Sequence, residues 1–124
     1  MTALSIEQTS LLYEKLELWG CDVNIALERF WQDHEFYLKC LKRFTEEPAF
    51  SELKNAVEAG RLQEAANAAH TLKGSAATLG ITPIVRQAES LVTLLKTDPV
   101  PDLSEAMERL DCLHEEYNEK LKTV

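Results

Sequence analysis

The residues that decide the fold are 61–79, "RLQEAANAAHTLKGSAATL". Apolar side chains recur here at intervals of three and four residues, which aligns them along one side of an α-helix. They are Leu62, Ala65, Ala69, Leu72, Ala76 and Leu79. A seam with this spacing predicts a long helix that packs among other helices in a bundle.

The chain before this stretch also shows helical spacing, and no segment of the sequence alternates with the period of a β-strand. Ser5 with Gln8 predicts a capping box for a first helix that ends before Gly20. Asp22 is expected to cap a second helix, and Asp33 to restart it. The sequence therefore reads as all helix from its N-terminus onward.

Proline, glycine and further capping residues mark the later boundaries. Residues 48–60 begin with Pro48, which suits a first helical turn, and end with Gly60, which can close a helix. They are predicted to form either a separate helix or a continuation of the preceding one. Gly80 is expected to end the central helix and Thr82 to cap the next. Asp102 with Glu105 predicts a second capping box, for the last helix. Short connections between long helices predict antiparallel neighbours.

The side chains expected in the core lie three or four residues apart on each helix. Outside the central seam they are Val23, Leu27, Phe30, Tyr37, Leu38, Leu41, Phe44, Phe50, Leu53, Val57, Ile84, Ala88, Leu91, Leu95, Leu103, Met107, Leu110, Leu113, Tyr117 and Leu121. Trp31 lies at helical spacing from two of them and is also expected in the core. A single domain is predicted over residues 1–124, with 1–20 as an N-terminal helix and 21–124 as the bundle core.

Charge and composition exclude several classes of function. The chain has 13 Lys and Arg against 21 Asp and Glu, a net charge of −8 that repels nucleic acid and anionic lipid. The sequence has no membrane-spanning run of about 18 apolar residues and no signal-peptide pattern, which favours a cytoplasmic location. The three cysteines are odd in number and lack a CxxC pair, so free thiols are expected.

His70 is the residue of the central helix that calls for a chemical explanation. At about 100° per residue it falls roughly 130° from the centre of the apolar seam, so its ring is expected to face solvent. Lys73 lies one turn along on the same side. The surrounding surface is expected to consist of small and polar residues: Gln63, Ala66, Asn67, Gly74 and Ala77.

Gly74 stands inside the helix, where glycine costs about 0.8–1 kcal/mol relative to alanine. Helix stability gives no reason for it, but a bare backbone lets another molecule approach the neighbouring imidazole. A solvent-exposed imidazole is largely neutral near pH 7, and its free nitrogen can attack an acyl phosphate without a general base. The ammonium of Lys73 is placed to balance the charge of phosphoryl oxygens on His70. No acidic cluster on this helix suggests a magnesium site, so any metal is expected to come from a partner.

The stretch "AHTLKGSAATLGI", residues 69–81, resembles the signature of histidine-containing phosphotransfer domains. "ALERFWQDHEFYLKCLKRF", residues 26–44, is similar to the earlier helices of that family. The resemblance runs from about Cys21 to Leu95, and its His-x-x-Lys-Gly core is a specific signal. It implies an all-α fold: an antiparallel four-helix bundle of up-down-up-down order with additional N-terminal helices.

The resemblance also implies a stoichiometric phosphocarrier of a two-component phosphorelay rather than an enzyme. His70 would be the phosphoacceptor between two receiver aspartates, Lys73 the phosphoryl charge partner and Gly74 the clearance position. The implied partners are response-regulator receiver domains and a hybrid histidine kinase, with Mg²⁺ supplied by the receiver and no cofactor of the chain's own. A monomer is expected. Lys96 occupies the place of a basic residue that faces the phosphohistidine in some members of the family.

Three alternatives stay open. A separate ATP-binding domain could phosphorylate the histidine, as in chemotaxis-type kinases. The chain could be a docking module that holds a receiver without chemistry. His70 could also be an ordinary surface histidine, an interpretation that Lys73 and Gly74 together disfavour.

The other two histidines and the residues at positions 31 and 32 give two further predictions. His34 and His114 lack the spacing of metal ligands, and no metal site is expected. Family members often have small residues where Trp31 and Gln32 stand here, so the turn between these helices is expected to form differently.

Overall fold

A computed structural model describes residues 5–122 of the chain. Within this range the chain forms seven α-helices and no β-strand. They are α1 (Ile6–Trp19), α2 (Val23–Arg29), α3 (His34–Phe44), α4 (Pro48–Glu58), α5 (Leu62–Leu79), α6 (Thr82–Leu95) and α7 (Ser104–Lys122). The predicted all-α fold is confirmed, and residues 48–58 form a helix of their own. The ends of the predicted domain 1–124 lie outside the described residues, and its division at residue 20 stays a prediction.

Side-chain hydrogen bonds fix the starts of the first three helices, as predicted. Ser5 Oγ accepts from the backbone N–H of Gln8, and Gln8 Oε1 accepts from the backbone N–H of Ser5, both at 3.0 Å. The carboxylates of Asp22 and Asp33 accept from the backbone N–H groups three residues further on. Gly20 then ends α1 in the left-handed region, at φ 114°. These contacts satisfy backbone donors that a helix start leaves unpaired.

Two of the predicted caps are wrong. Thr82 is the first residue of α6 rather than its N-cap, and its hydroxyl donates to the carbonyl of Gly80 at 3.4 Å. Asp102 bonds Ser104 instead of forming a capping box with Glu105, since its carboxylate accepts from the hydroxyl (2.7 Å) and the backbone N–H (2.9 Å) of Ser104. The same hydrogen bonds lower the pKa of Asp102. A carboxylate that bonds two residues on makes an Asx-type turn, which competes with the capping geometry.

The bundle is organised around α5. α4 packs along α5, α5 along α6, and α6 along α7. Because Gly80 and Ile81 alone separate α5 from α6, these two extensively packed helices are antiparallel. α7 also reaches α4, where the ring of His114 stacks on Phe50 at 3.6 Å between centroids. The fold is thus a helical bundle, and its complete up-down-up-down order stays a prediction.

The first two helices of the chain lie against the bundle. α1 contacts α7, where the rings of Trp19 and Tyr117 are 6.3 Å apart, and α2 contacts α5. The backbone N–H of Asp22 donates to the carbonyl of Gly80 at 2.8 Å. Arg29 Nη1 donates to the carbonyl of Ala77 at 2.6 Å. Hydrogen bonds near both ends of α2 therefore hold it beside the C-terminal half of α5.

The predicted seam of α5 is buried from Ala65 onward, and Ala68 joins it. Leu62 is the exception, since 41% of its surface is exposed in the first turn of the helix. The small alanine side chains allow the neighbouring helices to approach α5 closely. Among the other predicted core positions, Phe30, Leu38 and Val57 are partly buried and pack against the core. Trp31 is exposed, and all the remaining ones are buried.

Two buried tyrosines tie α3 to its neighbours. The hydroxyl of Tyr37 donates to the carbonyl of Leu79 at 2.8 Å, and that of Tyr117 donates to the carbonyl of Leu41. Burial raises the pKa of both phenols, so they stay protonated and keep donating at neutral pH. α3 is thereby anchored to the end of α5 and to α7.

The prediction that Trp31 belongs to the core is wrong. Its side chain is 91% exposed, and its φ of 51° lies in the left-handed region, as does the φ of 59° at Gln32. For residues other than glycine this conformation costs about 1–2 kcal/mol. The spacing from Leu27 fails as a guide because α2 ends at Arg29, so residue 31 is no longer on a helix.

Two simpler predictions concern the membrane and the thiols. In the part of the chain that the structure describes, no helix has the length and apolar character needed to cross a membrane. The cysteines are free, as predicted: Cys21 is buried, Cys40 partly buried and Cys112 exposed. Burial raises the pKa of the Cys21 thiol to about 12, which keeps it protonated and unreactive.

Candidate functional site

His70 lies in the middle of α5 with its side chain exposed. Its neighbours Ala69 and Leu72 are fully buried and face the core. Because consecutive helical residues are turned about 100° from one another, burial of these neighbours directs the imidazole outward. The predicted exposure of the ring is confirmed.

His70 differs from the other two histidines in its hydrogen bonding. His34 Nδ1 lies 2.9 Å from the hydroxyl of Tyr13, and His114 Nε2 lies 2.9 Å from the carbonyl of Thr45. No partner within residues 5–122 bonds the ring of His70. Neither of its nitrogens is therefore engaged by a side chain or backbone group in this range.

Gly74 lies one turn beyond His70 on the same side of α5, and it is exposed. A Cβ added at this position would meet nothing within 4 Å. Its backbone carbonyl accepts from the hydroxyl of Thr78 at 3.0 Å, an ordinary bond along the helix surface. The fold therefore imposes no requirement for glycine here, and the space above residue 74 is open.

Lys73 pairs with a residue that the sequence did not reveal. Its Nζ lies 3.4 Å from Glu89 Oε2 on α6, and both side chains are more than a third exposed. An ion pair this exposed contributes about 0–1 kcal/mol, so Lys73 can leave it at little cost. Hydrophobic spacing places Glu89 outside the buried stripe of α6, but the pairing depends on how α6 is aligned along α5.

The other residues predicted to surround His70 lie on both sides of it along α5. Gln63, Ala66 and Asn67 precede it, and Ala77 follows it. Gln63 Nε2 donates to Asn67 Oδ1 at 3.2 Å, and both side chains are exposed. Ala66 and Ala77 are half-buried. All four lie on α5, so the structure brings them onto the same element as His70.

Lys96 follows α6 as its C-terminal cap and is exposed. The contact of Lys73 with Glu89 shows which levels of the two antiparallel helices lie side by side. Seven residues further along α6, Lys96 lies level with about Ala66, one turn of roughly 5.4 Å from the level of His70. Within residues 5–122 Lys96 makes no contact with the ring of His70, and its predicted role stays a prediction.

Residues near the site show no arrangement suited to a metal ion. Across residues 5–122, no group of three or more His, Cys, Asp and Glu side chains is placed to hold one. Ser75, next to Gly74, donates its hydroxyl to Glu47 Oε1 at 3.1 Å and so links α5 to the start of α4. This contact agrees with a structural role for Ser75 rather than a nucleophilic one.

Comparison with protein-family models matches residues 40–121 to the Hpt domain. Neither a curated protein nor a solved structure matches the chain. Hpt domains are phosphocarriers that act in histidine phosphotransfer in phosphorelays, and they interact with receiver domains and kinases of two-component systems. The match covers most of the chain and includes the helix that carries His70, so this protein belongs to the Hpt domain family.

Proposed function

We propose that His70 is the phosphoacceptor of this Hpt domain. It takes a phosphoryl group from the aspartyl phosphate of one response-regulator receiver domain and passes it to the aspartate of another. The observation that carries the proposal is the state of its ring, which is exposed and unbonded within residues 5–122. His34 and His114 both lie in hydrogen bonds.

The transfer needs little chemistry from the chain itself. The ring nitrogen that bears no proton attacks the phosphorus, the N–P bond forms as the P–O bond to aspartate breaks, and the receiver keeps the carboxylate. The proton on the other ring nitrogen stays in place, so no general base is required. Rigid positioning on a packed helix supplies the orientation that makes such an encounter productive.

Lys73 and Gly74 support this step in different ways. Lys73 exchanges its weak, exposed pairing with Glu89 for the oxygens of the incoming phosphoryl group, whose charge it balances. Gly74 leaves the approach to His70 free of a side chain, since the space above it is open. Mg²⁺ would be held by the acidic residues of the receiver.

The docking surface around this centre consists of Gln63, Ala66, Asn67 and Ala77, with Lys96 at its edge. Four of these lie on α5 with His70, and they are small or polar. A contact centred here suits a transient encounter, which buries less than about 1,200 Å² in total. We place the protein in the cytoplasm as a monomeric phosphocarrier without kinase activity of its own, working with receiver domains and a hybrid histidine kinase.

Phosphotransfer from receivers tests the proposal. Each receiver domain of the source organism is labelled on its aspartate with radioactive acetyl phosphate and incubated with the wild-type chain or with His70→Gln. His34→Gln and His114→Gln are the matched controls. We expect an acid-labile, base-stable label on the wild type and on both controls, and none on a folded His70→Gln protein. Full labelling of His70→Gln would disprove the assignment.

A parallel incubation identifies the donor. The chain is mixed with ATP and an isolated histidine kinase core in place of the receivers. Faster labelling in this reaction than from every receiver would indicate a chemotaxis-type phosphotransfer domain. If receivers bind the wild-type chain but neither they nor the kinase core label it, the chain is a docking module.

A further inference from the structure

A groove lies between α4 and α7, the two helices that complete the ring of four packed helices. The ring of Phe50 stacks on that of His114, and about one turn further along α4 Lys54 Nζ lies 3.8 Å from Asp111 Oδ2. From this ion pair toward the end of α4 and the start of α7, a groove of about 580 Å³ opens to solvent. It is named here the α4–α7 groove.

The floor of the α4–α7 groove is apolar. Val57 comes from α4, Leu62 from α5, and Val100, Leu103 and Met107 from the connection after α6 and from α7. Leu103 and Met107 are buried, and the two valines are half-buried. Apolar side chains from distant parts of the chain therefore meet at one surface.

Leu62 is the floor residue that the bundle leaves uncovered. It holds the first position of the apolar seam of α5, whose later positions are buried, yet 41% of its surface is exposed. The apolar stripe of α5 therefore continues beyond the part that the other helices cover. A large apolar side chain in a groove with a polar rim is typical of an interaction site.

The rim of the groove is acidic. Among the described residues that line it, Glu58, Asp102, Glu108 and Asp111 carry carboxylates, and Lys54 alone carries an ammonium. Lys54 pairs with Asp111, so the groove offers no cation to the other three carboxylates within the described residues. This charge attracts lysine and arginine. It repels anionic ligands and a second copy of this chain, whose net charge is −8.

The shape of the groove favours a segment of polypeptide over a small molecule. Sites for small molecules enclose about 70–90% of the ligand surface, whereas this groove is open along one side. Along α7 it runs from Ser104 to Asp111, which is roughly 10 Å or about two helical turns. A helix laid along it can place apolar side chains one turn apart on the floor.

We propose that the α4–α7 groove binds a cationic amphipathic helix of a partner protein. Its apolar side chains pack against Leu62 and Met107, and its lysine or arginine side chains lie beside Glu58 and Glu108. The apolar floor supplies the area that is removed from water, and the rim fixes which face of the helix turns inward.

The groove is separate from the surface around His70. Among the described residues that line it, Leu62 alone belongs to α5, and it lies roughly 12 Å along the helix axis from His70. Lys73, beside His70, pairs with Glu89 of α6, whereas α4 and α7 bound the groove. A partner helix in the groove therefore leaves the approach to His70 open, so the chain can hold one partner while it meets another.

A designed peptide tests the inference. The probe is a fluorescently labelled peptide of about 14 residues that contains only leucine and lysine, with its leucines along one face of a helix. A control peptide of the same composition has its leucines spread around the helix. Fluorescence anisotropy should give the first peptide a Kd about tenfold lower than that of the control. Equal Kd values would show attraction by charge alone and overturn the inference.

Substitutions at exposed positions separate the floor from the rim. We expect Leu62→Gln to raise the Kd of the first peptide about tenfold and Glu108→Gln about threefold. Leu18→Gln and Glu14→Gln, at exposed positions of α1, are the matched controls and should stay within about twofold of the wild type. An unchanged Kd for Leu62→Gln overturns the inference.

NMR locates the peptide on the wild-type chain without any substitution. The largest amide shifts on adding the peptide should fall in residues 54–62 and 100–111. Shifts centred on α1 or on the turn between α2 and α3 would place the peptide elsewhere and overturn the inference.

Labelling by receivers keeps this inference apart from the proposed function. His70→Gln should bind the peptide within about twofold of the wild type, and saturating peptide should leave the labelling rate of the wild type within about twofold. Peptide that stops labelling would show that the groove is not separate from the receiver surface. If no receiver labels the wild type, the proposed function fails while peptide binding still tests the groove. A wild-type dimer that the peptide dissociates in sedimentation would show that a second copy covers the groove, against the inference.

Discussion

Two glycines six residues apart on α5 stand in opposite surroundings. Gly80 ends the helix at φ 73°, and a Cβ added there would lie 2.3 Å from the carbonyl oxygen of Asp22. Gly74 lies inside the helix, and a Cβ added there would meet nothing within 4 Å. The fold requires glycine at position 80, whereas neither packing nor backbone conformation requires it at position 74. A glycine that the structure does not require, beside an exposed histidine, is therefore evidence of function.

Gly80→Ala should have the largest effect on stability. The left-handed conformation alone costs about 1–2 kcal/mol for alanine, and the collision with the Asp22 backbone forces α2 away from α5. We expect the free energy of unfolding to fall by about 3 kcal/mol or more in urea denaturation. A loss below about 1 kcal/mol would show that α2 can move aside freely, and Gly80 would then not be fixed by packing.

Gly74→Ala should act in the opposite direction on stability. Alanine in an exposed helix interior is about 0.8–1 kcal/mol more favourable than glycine, so urea denaturation should show a gain of that size. The added methyl group narrows the approach to His70, and we expect transfer from the receiver to slow about tenfold. A more stable variant that transfers at the wild-type rate would remove the clearance role from Gly74.

Gly60→Ala separates the backbone effect from the steric one. Gly60 has the same φ of 73° as Gly80, yet a Cβ at this position would meet nothing within 4 Å. We therefore expect a loss of about 1 kcal/mol in the free energy of unfolding and no change in transfer rate. A loss as large as that of Gly80→Ala would mean that the left-handed backbone, and not the contact with Asp22, dominates at both positions.

Glu89→Gln should have the smallest effect. It removes the ion pair of Lys73 but leaves α6 intact, so stability should change by less than about 0.5 kcal/mol. Transfer should rise by up to about twofold because Lys73 no longer has a competing carboxylate. Asp111→Asn is the matched control, since it breaks the exposed pair with Lys54 on another side of the bundle. Slower transfer in Glu89→Gln would show that the carboxylate positions Lys73 instead of competing for it.

The periodic part of the fold could be predicted from the sequence because each helix carries its own signal. The seam from Ala65 to Leu79 is buried as its spacing indicates, and the caps at Ser5, Asp22 and Asp33 are present. Both kinds of signal act within a few residues along the chain, where spacing determines direction. The exposed ring of His70 follows from the same geometry.

The caps predicted at Thr82 and Asp102 fail because their side chains bond other nearby groups. The other errors concern places where local spacing ceases to apply. Trp31 lies beyond the end of α2, so helical spacing no longer describes its direction, and Leu62 lies in the first turn of α5. Glu89 was missed because pairing across two helices depends on their alignment, which neither helix encodes alone. The hydrogen bond from Arg29 to Ala77, which connects the end of α2 to α5, could not be predicted from the sequence for the same reason.

Mapping the phosphoryl group on the labelled wild-type chain decides whether His70 carries it. Trypsin separates the three histidines into peptides 30–39, 62–73 and 110–120, which mass spectrometry at neutral pH can distinguish while the N–P bond survives. We expect the added phosphoryl mass on peptide 62–73 and on its histidine. A phosphoryl group on either of the other two peptides would contradict the assignment of His70.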